Sequence, residues 1–159
     1  MNRLLLPATL LLACTMLTAC GPRYVTGTEI EYSDSKQEIA EVVERYRVAM
    51  EQQDVAGLRS IASRDYYENG STTTNADDDY GYDGLERVFA DLENTVKAVK
   101  YKIEVTDITI MGRSATVNFD YEAQFLYTIG ERDQWGTKGD KNRLSLRKEK
   151  GVWRVLSGL

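Results

Sequence analysis

From Ala115 to Tyr127 every second residue is apolar or aromatic: Ala115, Val117, Phe119, Tyr121, Ala123, Phe125 and Tyr127. Thr116, Asn118, Asp120, Glu122 and Gln124 fill the positions between them. Strand side chains alternate between the two faces of a sheet, so this run predicts one long β-strand with an apolar face and a wet face. Such a strand cannot stand alone: its apolar face must be laid on a second layer.

The first half of the chain supplies that layer. Ser35-Lys36-Gln37-Glu38 reads as a capping box, in which the Ser hydroxyl and the Glu carboxylate satisfy each other's backbone amides. Ile39, Val42, Val43, Tyr46, Ala49 and Met50 follow at helical spacing, with Glu41, Glu44, Arg45 and Gln52 opposite. Asp54 is an N-cap candidate for a short helix carrying Leu58 and Ile61. The stretch from Glu68 to Tyr82 is too polar for a core and reads as a long loop. Asp83, with Glu86 three residues on, opens a further helix whose apolar face is Leu85, Val88, Phe89, Leu92, Val96 and Val99.

Beyond it the period falls from 3.6 to 2. Tyr101, Ile103 and Val105 alternate, then Ile108 and Ile110 alternate in the opposite phase, so a bulge is expected at Thr106-Asp107. Met111-Gly112-Arg113 is a turn into the long strand. Gly130 to Asp140, which holds Trp135, reads as a second polar loop. Asn142 to Lys148 and Val152 to Leu156 are strands joined by a turn at Lys150-Gly151. Helices first and an antiparallel meander after argue an α+β domain with its helices on one face of a curved sheet. Neither an internal repeat nor a second domain is visible.

The opening helix with Tyr46 and Ala49, the elbow Gln53-Asp54-Val55-Ala56-Gly57-Leu58 and the closing Gly151-Val152-Trp153-Arg154-Val155 together resemble the nuclear-transport-factor-2-like superfamily. That superfamily includes SnoaL-like polyketide cyclases and ketosteroid isomerases. The resemblance spans about residues 36–158. It implies a cone-shaped antiparallel sheet wrapped around the N-terminal helices, with a pocket at the open end. It implies no single chemistry.

The N-terminus has its own grammar. Met1-Asn2-Arg3, an apolar run from Leu4 to Leu17 and a small-residue end make a signal-peptide pattern, too short for a membrane span, which needs ~20 apolar residues. Leu17-Thr18-Ala19-Cys20-Gly21 looks like a lipobox. That resemblance implies removal of residues 1–19 and a diacylglycerol on the Cys20 sulfur. An ordinary signal peptide cut after Ala19, or an uncleaved anchor, is the plainer alternative. Gly21 rather than Asp after the cysteine favours the outer over the inner membrane, by the sorting rules of enteric bacteria. Residues 20–34 then form a lipidated tether, about ten residues of irregular chain, and 35–159 the domain. Cys14 leaves with the signal segment and Cys20 is alkylated, so no disulfide remains to staple the fold. The formal charge of −5, or −6 once Arg3 is removed, provides no footprint for nucleic acid.

There is no histidine. Histidine bases, Ser-His-Asp and Cys-His catalysis and the usual zinc sites are therefore excluded, and carboxylate and tyrosine chemistry remains. Tyr46, Tyr66, Phe89, Phe119, Tyr121, Phe125 and Tyr127 are candidates to line a pocket; the alternative is that they are core-wall residues. Asp65 lies near Tyr66 and Tyr67 in sequence, but Asp120 and Glu122 fall in the outward phase, so no catalytic base is assigned. Asp77, Asp78, Asp79 and Asp83 do not match the spacing of a calcium loop and read as a solvated acidic segment. Neither a metal nor a cofactor is expected. Arg143, Arg147 and Arg154 share the outward phase with Asp120 and Glu122, where cross-strand ion pairs account for them. That polar face argues against a sheet-to-sheet dimer and for a monomer. Trp135 closes the pocket mouth, meets a partner, or tucks over the sheet edge, whereas Trp153 is core. The reading is a lipid-anchored envelope protein that binds a small apolar ligand or an envelope protein without catalysis. A SnoaL- or isomerase-type enzyme using Tyr and Asp, and a scaffold subunit, are the alternatives.

Overall fold

A computed structural model describes residues 21–70 and 78–159. Signal segment, Cys20 and Asp77 lie outside the described residues. Among the described residues three helices, α1 (Asp34–Gln52), α2 (Val55–Ile61) and α3 (Tyr82–Thr95), precede the main sheet. A minimal strand pair, β1 (Tyr67–Glu68) and β2 (Tyr80–Gly81), brackets the loop before α3. The sheet is an antiparallel meander in the order β3 (Val96–Met111), β4 (Ser114–Ile129), β5 (Arg132–Glu149) and β6 (Val152–Ser157). It curves around the helices, with α1 packed mainly on β3 and α2 and α3 against β3 and α2. This is the α+β architecture the sequence predicts.

The core forms where the two apolar patterns meet. Ile39, Val42, Val43, Tyr46 and Ala49 of α1 bury against Val99, Tyr101, Ile108, Val117, Phe119, Leu144, Leu146, Trp153 and Val155 of the sheet. The expected bulge is present: the β3–β4 register slips between Val105 and Asp107, and the Thr106 hydroxyl donates to the Asn118 carbonyl at 3.1 Å. The Asp54 cap is also present, its carboxylate accepting from the Gly57 amide at 2.9 Å. A side chain at residue 57 would collide with that carboxylate, its Cβ falling 2.5 Å from Asp54 Oδ2, which explains glycine in the elbow. Gln53 closes α1 in the left-handed conformation and reaches the Leu92 carbonyl at 3.1 Å, tying α1 to the end of α3.

Five expectations need correction. The α1 cap is Ser33, which accepts from Lys36, so Ser35 lies inside the helix. Glu38, freed from capping, accepts instead from Lys148 Nζ at 2.7 Å and Trp153 Nε1 at 3.1 Å, bolting α1 to the sheet. Helix α3 starts after Gly81 with no side-chain cap, and Glu86 pairs with Arg59 at 2.6 Å. Val96 and Val99 are not helical: they pair with Tyr127 and Phe125 in β3, because β4 offers β-branched residues a ladder. Only Gly130 and Glu131 of the expected loop turn: from Arg132 to Asp140 β5 runs on in unbroken register with β4, from Ser114↔Arg147 to Ile129↔Arg132.

The fifth correction concerns the tether. Residues 23–32 are folded, not irregular: Val25 donates to the Ile30 carbonyl and Tyr32 to Arg23, both at 2.8 Å. Val25 is buried and the Arg23 guanidinium lies 4.2 Å from the Tyr32 ring centroid.

Candidate functional site

The inner face of the sheet follows from the register. On β4 it carries Val117, Phe119, Tyr121, Ala123, Phe125 and Tyr127. Directly across, β3 contributes Ile108, Val105, Ile103, Tyr101 and Val99, and β5 contributes Leu144, Asn142, Asp140, Lys138, Gly136 and Gln134. The face therefore changes character along its length. One end is apolar on all three strands. At the other, aromatic residues of β4 face polar ones of β5.

Tyr46, Tyr101, Tyr121 and Phe119 come together at the junction. Ring centroids are 5.6 Å apart for Tyr46 and Tyr101, 5.7 Å for Tyr101 and Tyr121, and 6.4 Å for Phe119 and Tyr121. The Tyr46 and Tyr101 hydroxyls share a hydrogen bond of 3.3 Å, so the phenols satisfy each other. Burial, then the neighbouring Tyr101, pushes the Tyr46 phenol well above its ordinary value, and burial also raises Tyr101. Both are neutral at physiological pH and cannot act as bases. Tyr101 was not among the expected pocket residues, although its place in the β3 alternation marks it as inward.

The remaining candidates divide. Phe89 and Phe119 are buried, as is Tyr46, whereas Tyr121, Phe125 and Tyr127 are half-buried. Tyr66 heads a separate group: its ring lies 6.3 Å from that of Tyr80 and its hydroxyl donates to Glu68 at 2.8 Å. Glu68 also accepts from the Gly158 amide at 2.6 Å, so this pair fastens the last strand's end. Burial first, and then that carboxylate, raise the Tyr66 phenol strongly. Trp135 sits on the outer face beside Leu126, half exposed, with Lys100 Nζ 5.0 Å from its ring centroid, and so stands apart from the aromatic row.

At the polar end, Tyr127 lies over Gly136. A Cβ at residue 136 would stand 2.9 Å from the Tyr127 ring, so glycine makes the seat for that ring. The acid that sequence reasoning could not find on the inner face is Asp140, directly across from Tyr121. It was hidden because its segment reads as a loop. Asp140 is exposed, and its carboxylate accepts from the Lys141 amide at 2.8 Å.

The arginines are engaged differently from the expected pairs. Arg143 donates to Asn118 Oδ1 at 2.9 Å, while Asp120 faces Lys141 at 3.8 Å. Arg147 bonds Glu149 at 2.7 Å and also Asp65, whose charge is thereby engaged away from the tyrosines. Ser63, itself buried, donates to Glu149 at 2.7 Å, and this bond, followed by Arg147, lowers the Glu149 carboxyl below its usual range. Asp79 accepts from the Tyr67 hydroxyl and the Gly70 amide. Among the described residues no group of three or more acidic or sulfur side chains is placed to hold a metal.

No protein-family model and no curated protein matches the chain. Solved structures do. A nuclear transport factor 2-like superfamily protein from Salmonella enterica superposes with a TM-score of 0.62 at 19% identity, covering 77% of this chain and 89% of the other. A ketosteroid isomerase-like protein from Erwinia carotovora gives 0.61 at 17% identity over 79% and 93%. An NTF2-like protein of unknown function from Shewanella baltica gives 0.57 at 20% identity over 80% and 92%. Helices held inside a curved antiparallel meander, and these superpositions, identify the architecture: the chain has the nuclear-transport-factor-2-like fold.

Proposed function

We propose that the chain is a lipid-anchored cell-envelope protein, held by acylated Cys20 and preferentially in the outer membrane, that binds without catalysis. Its ligand is a small apolar molecule, or an apolar side chain of an envelope protein, seated on the aromatic row. The observation that carries this reading is the half-buried row Tyr121, Phe125 and Tyr127, left uncovered where the apolar core ends. Planar rings on a rigid strand offer apolar contact at little conformational cost. The absence of catalysis is supported by Tyr46 and Tyr101, whose hydroxyls bond each other rather than a carboxylate. Anchoring is supported by the lipobox-like Leu17-Thr18-Ala19-Cys20.

The test has two parts. In cells fed an alkyne fatty acid, the wild-type chain takes up label and Cys20→Ser does not; equal labelling removes the anchor from the reading. In detergent-free buffer, the Cys20→Ser chain binds an environment-sensitive apolar dye, and Phe125→Ala with Tyr127→Ala weakens that binding at least tenfold. Unchanged dye affinity removes the aromatic row.

One observation favours a second reading. Asp140 across from Tyr121 supplies the carboxylate and phenol that a SnoaL- or isomerase-type proton transfer requires. In that case Asp140→Asn abolishes turnover of an enolisable ketone probe such as 5-androstene-3,17-dione, while Cys20→Ser leaves it intact. No turnover by the wild-type chain leaves the binding reading standing.

A further inference from the structure

The edge of the sheet next to α1 is open along a short, defined stretch. Among the described residues strand β3 is an outer strand, paired only with β4. At Tyr101 the N–H donates to Glu51 Oε1 at 3.1 Å, and the carbonyl accepts from Arg47 Nη1 at 3.5 Å. The backbone groups of Tyr101 therefore point away from β4, and α1 clamps them. In an antiparallel ladder this orientation recurs every second residue. Ile103 and Val105 thus present their N–H and C=O groups outward too, and no protein group among the described residues takes them. The bulge at Thr106 ends the stretch.

A groove follows this edge. One part, about 700 Å³, is lined by Ala40, Val43, Ile103 and Val105, with Glu41 and Lys102 at its rim. A second, about 720 Å³, continues past Glu104 and Val105 to Glu29 and the 27–30 turn. Apolar side chains floor it, and charge lines its rim. Arg47 is neutralised by Glu44 and Glu51 at 2.7 and 2.6 Å. Glu29, Glu41 and Glu104 make no ion pair among the described residues, against the single unpaired ammonium of Lys102.

We propose that this groove receives a short extended segment of a protein partner, alternating apolar and basic residues, as an added strand on Ile103 and Val105. Added strands gain affinity from main-chain hydrogen bonds and specificity from alternate side chains. Here the inward side chains meet Ala40 and Val43 and the outward ones meet the surplus carboxylates. The Arg47–Glu51 clamp at one end and the bulge at the other set its length at three to four residues. The site is independent of the aromatic row.

The experiment uses the full chain in detergent micelles and a fluorescein-labelled Lys-Val-Lys-Val-Lys peptide, read by anisotropy and amide chemical shifts. The peptide is expected to bind, with its largest shifts at residues 102–106. Glu41→Lys with Glu104→Lys, both at exposed positions, should weaken it at least tenfold with an unchanged circular dichroism spectrum. The same peptide N-methylated at both valines keeps its charge but loses strand pairing, and should bind at least tenfold more weakly. Equal binding of the methylated peptide, or of Glu-Val-Glu-Val-Glu, or shifts centred elsewhere, or no binding, would overturn the proposal.

Discussion

The two ends of the β4 inner face are written in the same alternation but have different fates. Val117 and Phe119 are at most 1% exposed, whereas Tyr121, Phe125 and Tyr127, in the same phase, remain half-buried. The difference comes from the neighbours. Val117 meets Leu144 on one side and Ile108 on the other; Phe125 meets Gly136 and Tyr127 meets Gln134. Val117 is sealed between apolar neighbours on both flanking strands, and Phe119 is sealed although Asn142 lies across from it on β5, whereas the rings further along the strand keep part of their surface. There the row is an aromatic surface.

The largest expected effect tests the closed end. Phe119→Ala removes a fully buried ring and should cost about 3–5 kcal/mol in urea unfolding, whereas Phe125→Ala should cost about 1 kcal/mol. Equal losses would mean that the open end is core as well. Alkaline pH comes next. The folded-state pKa values of Tyr46, Tyr66 and Tyr101 are raised above the unfolded value near 10, so their contribution is intact below pH 10 and is lost as pH rises above it. Stability should therefore fall steeply above pH 10, and phenolate absorbance should show a fraction that ionises only on unfolding. A single titration step without loss of structure would contradict the closed packing.

Smaller effects sharpen the boundary. Tyr46→Phe deletes one partner of a buried hydroxyl pair and should cost about 1 kcal/mol, against a change within about 0.5 kcal/mol for Tyr127→Phe, by equilibrium denaturation. Gly136→Ala should leave stability within about 0.5 kcal/mol, because the Tyr127 ring can swing aside. It should alter the near-ultraviolet circular dichroism of that ring; an unchanged spectrum would mean that Tyr127 does not rest on Gly136.

Much of this was legible from residues. The phase flip after Val105 located the bulge, and the Asp54 cap was visible beside Gly57. The α1 cap was misplaced by two residues because Ser33 and Ser35 both offer a hydroxyl, and Glu38 had a better partner in Trp153 and Lys148. The site fared less well. Asp140 and Gly136 lie in a segment rich in charge and glycine, which composition assigns to a loop, and pairing with β4 overrides that preference.

What the sequence by itself determined is local and periodic: which segments are helices, which strand is one-sided, and where the chain turns. Side-chain spacing along one element is enough for that. Only the tertiary structure decided which aromatic residues are sealed and which stay open, that an acid stands beside Tyr121, and that α1 clamps one residue of an edge strand and leaves the next two free. Those outcomes depend on what lies across from a residue, and spacing along a single strand carries no information about its neighbours.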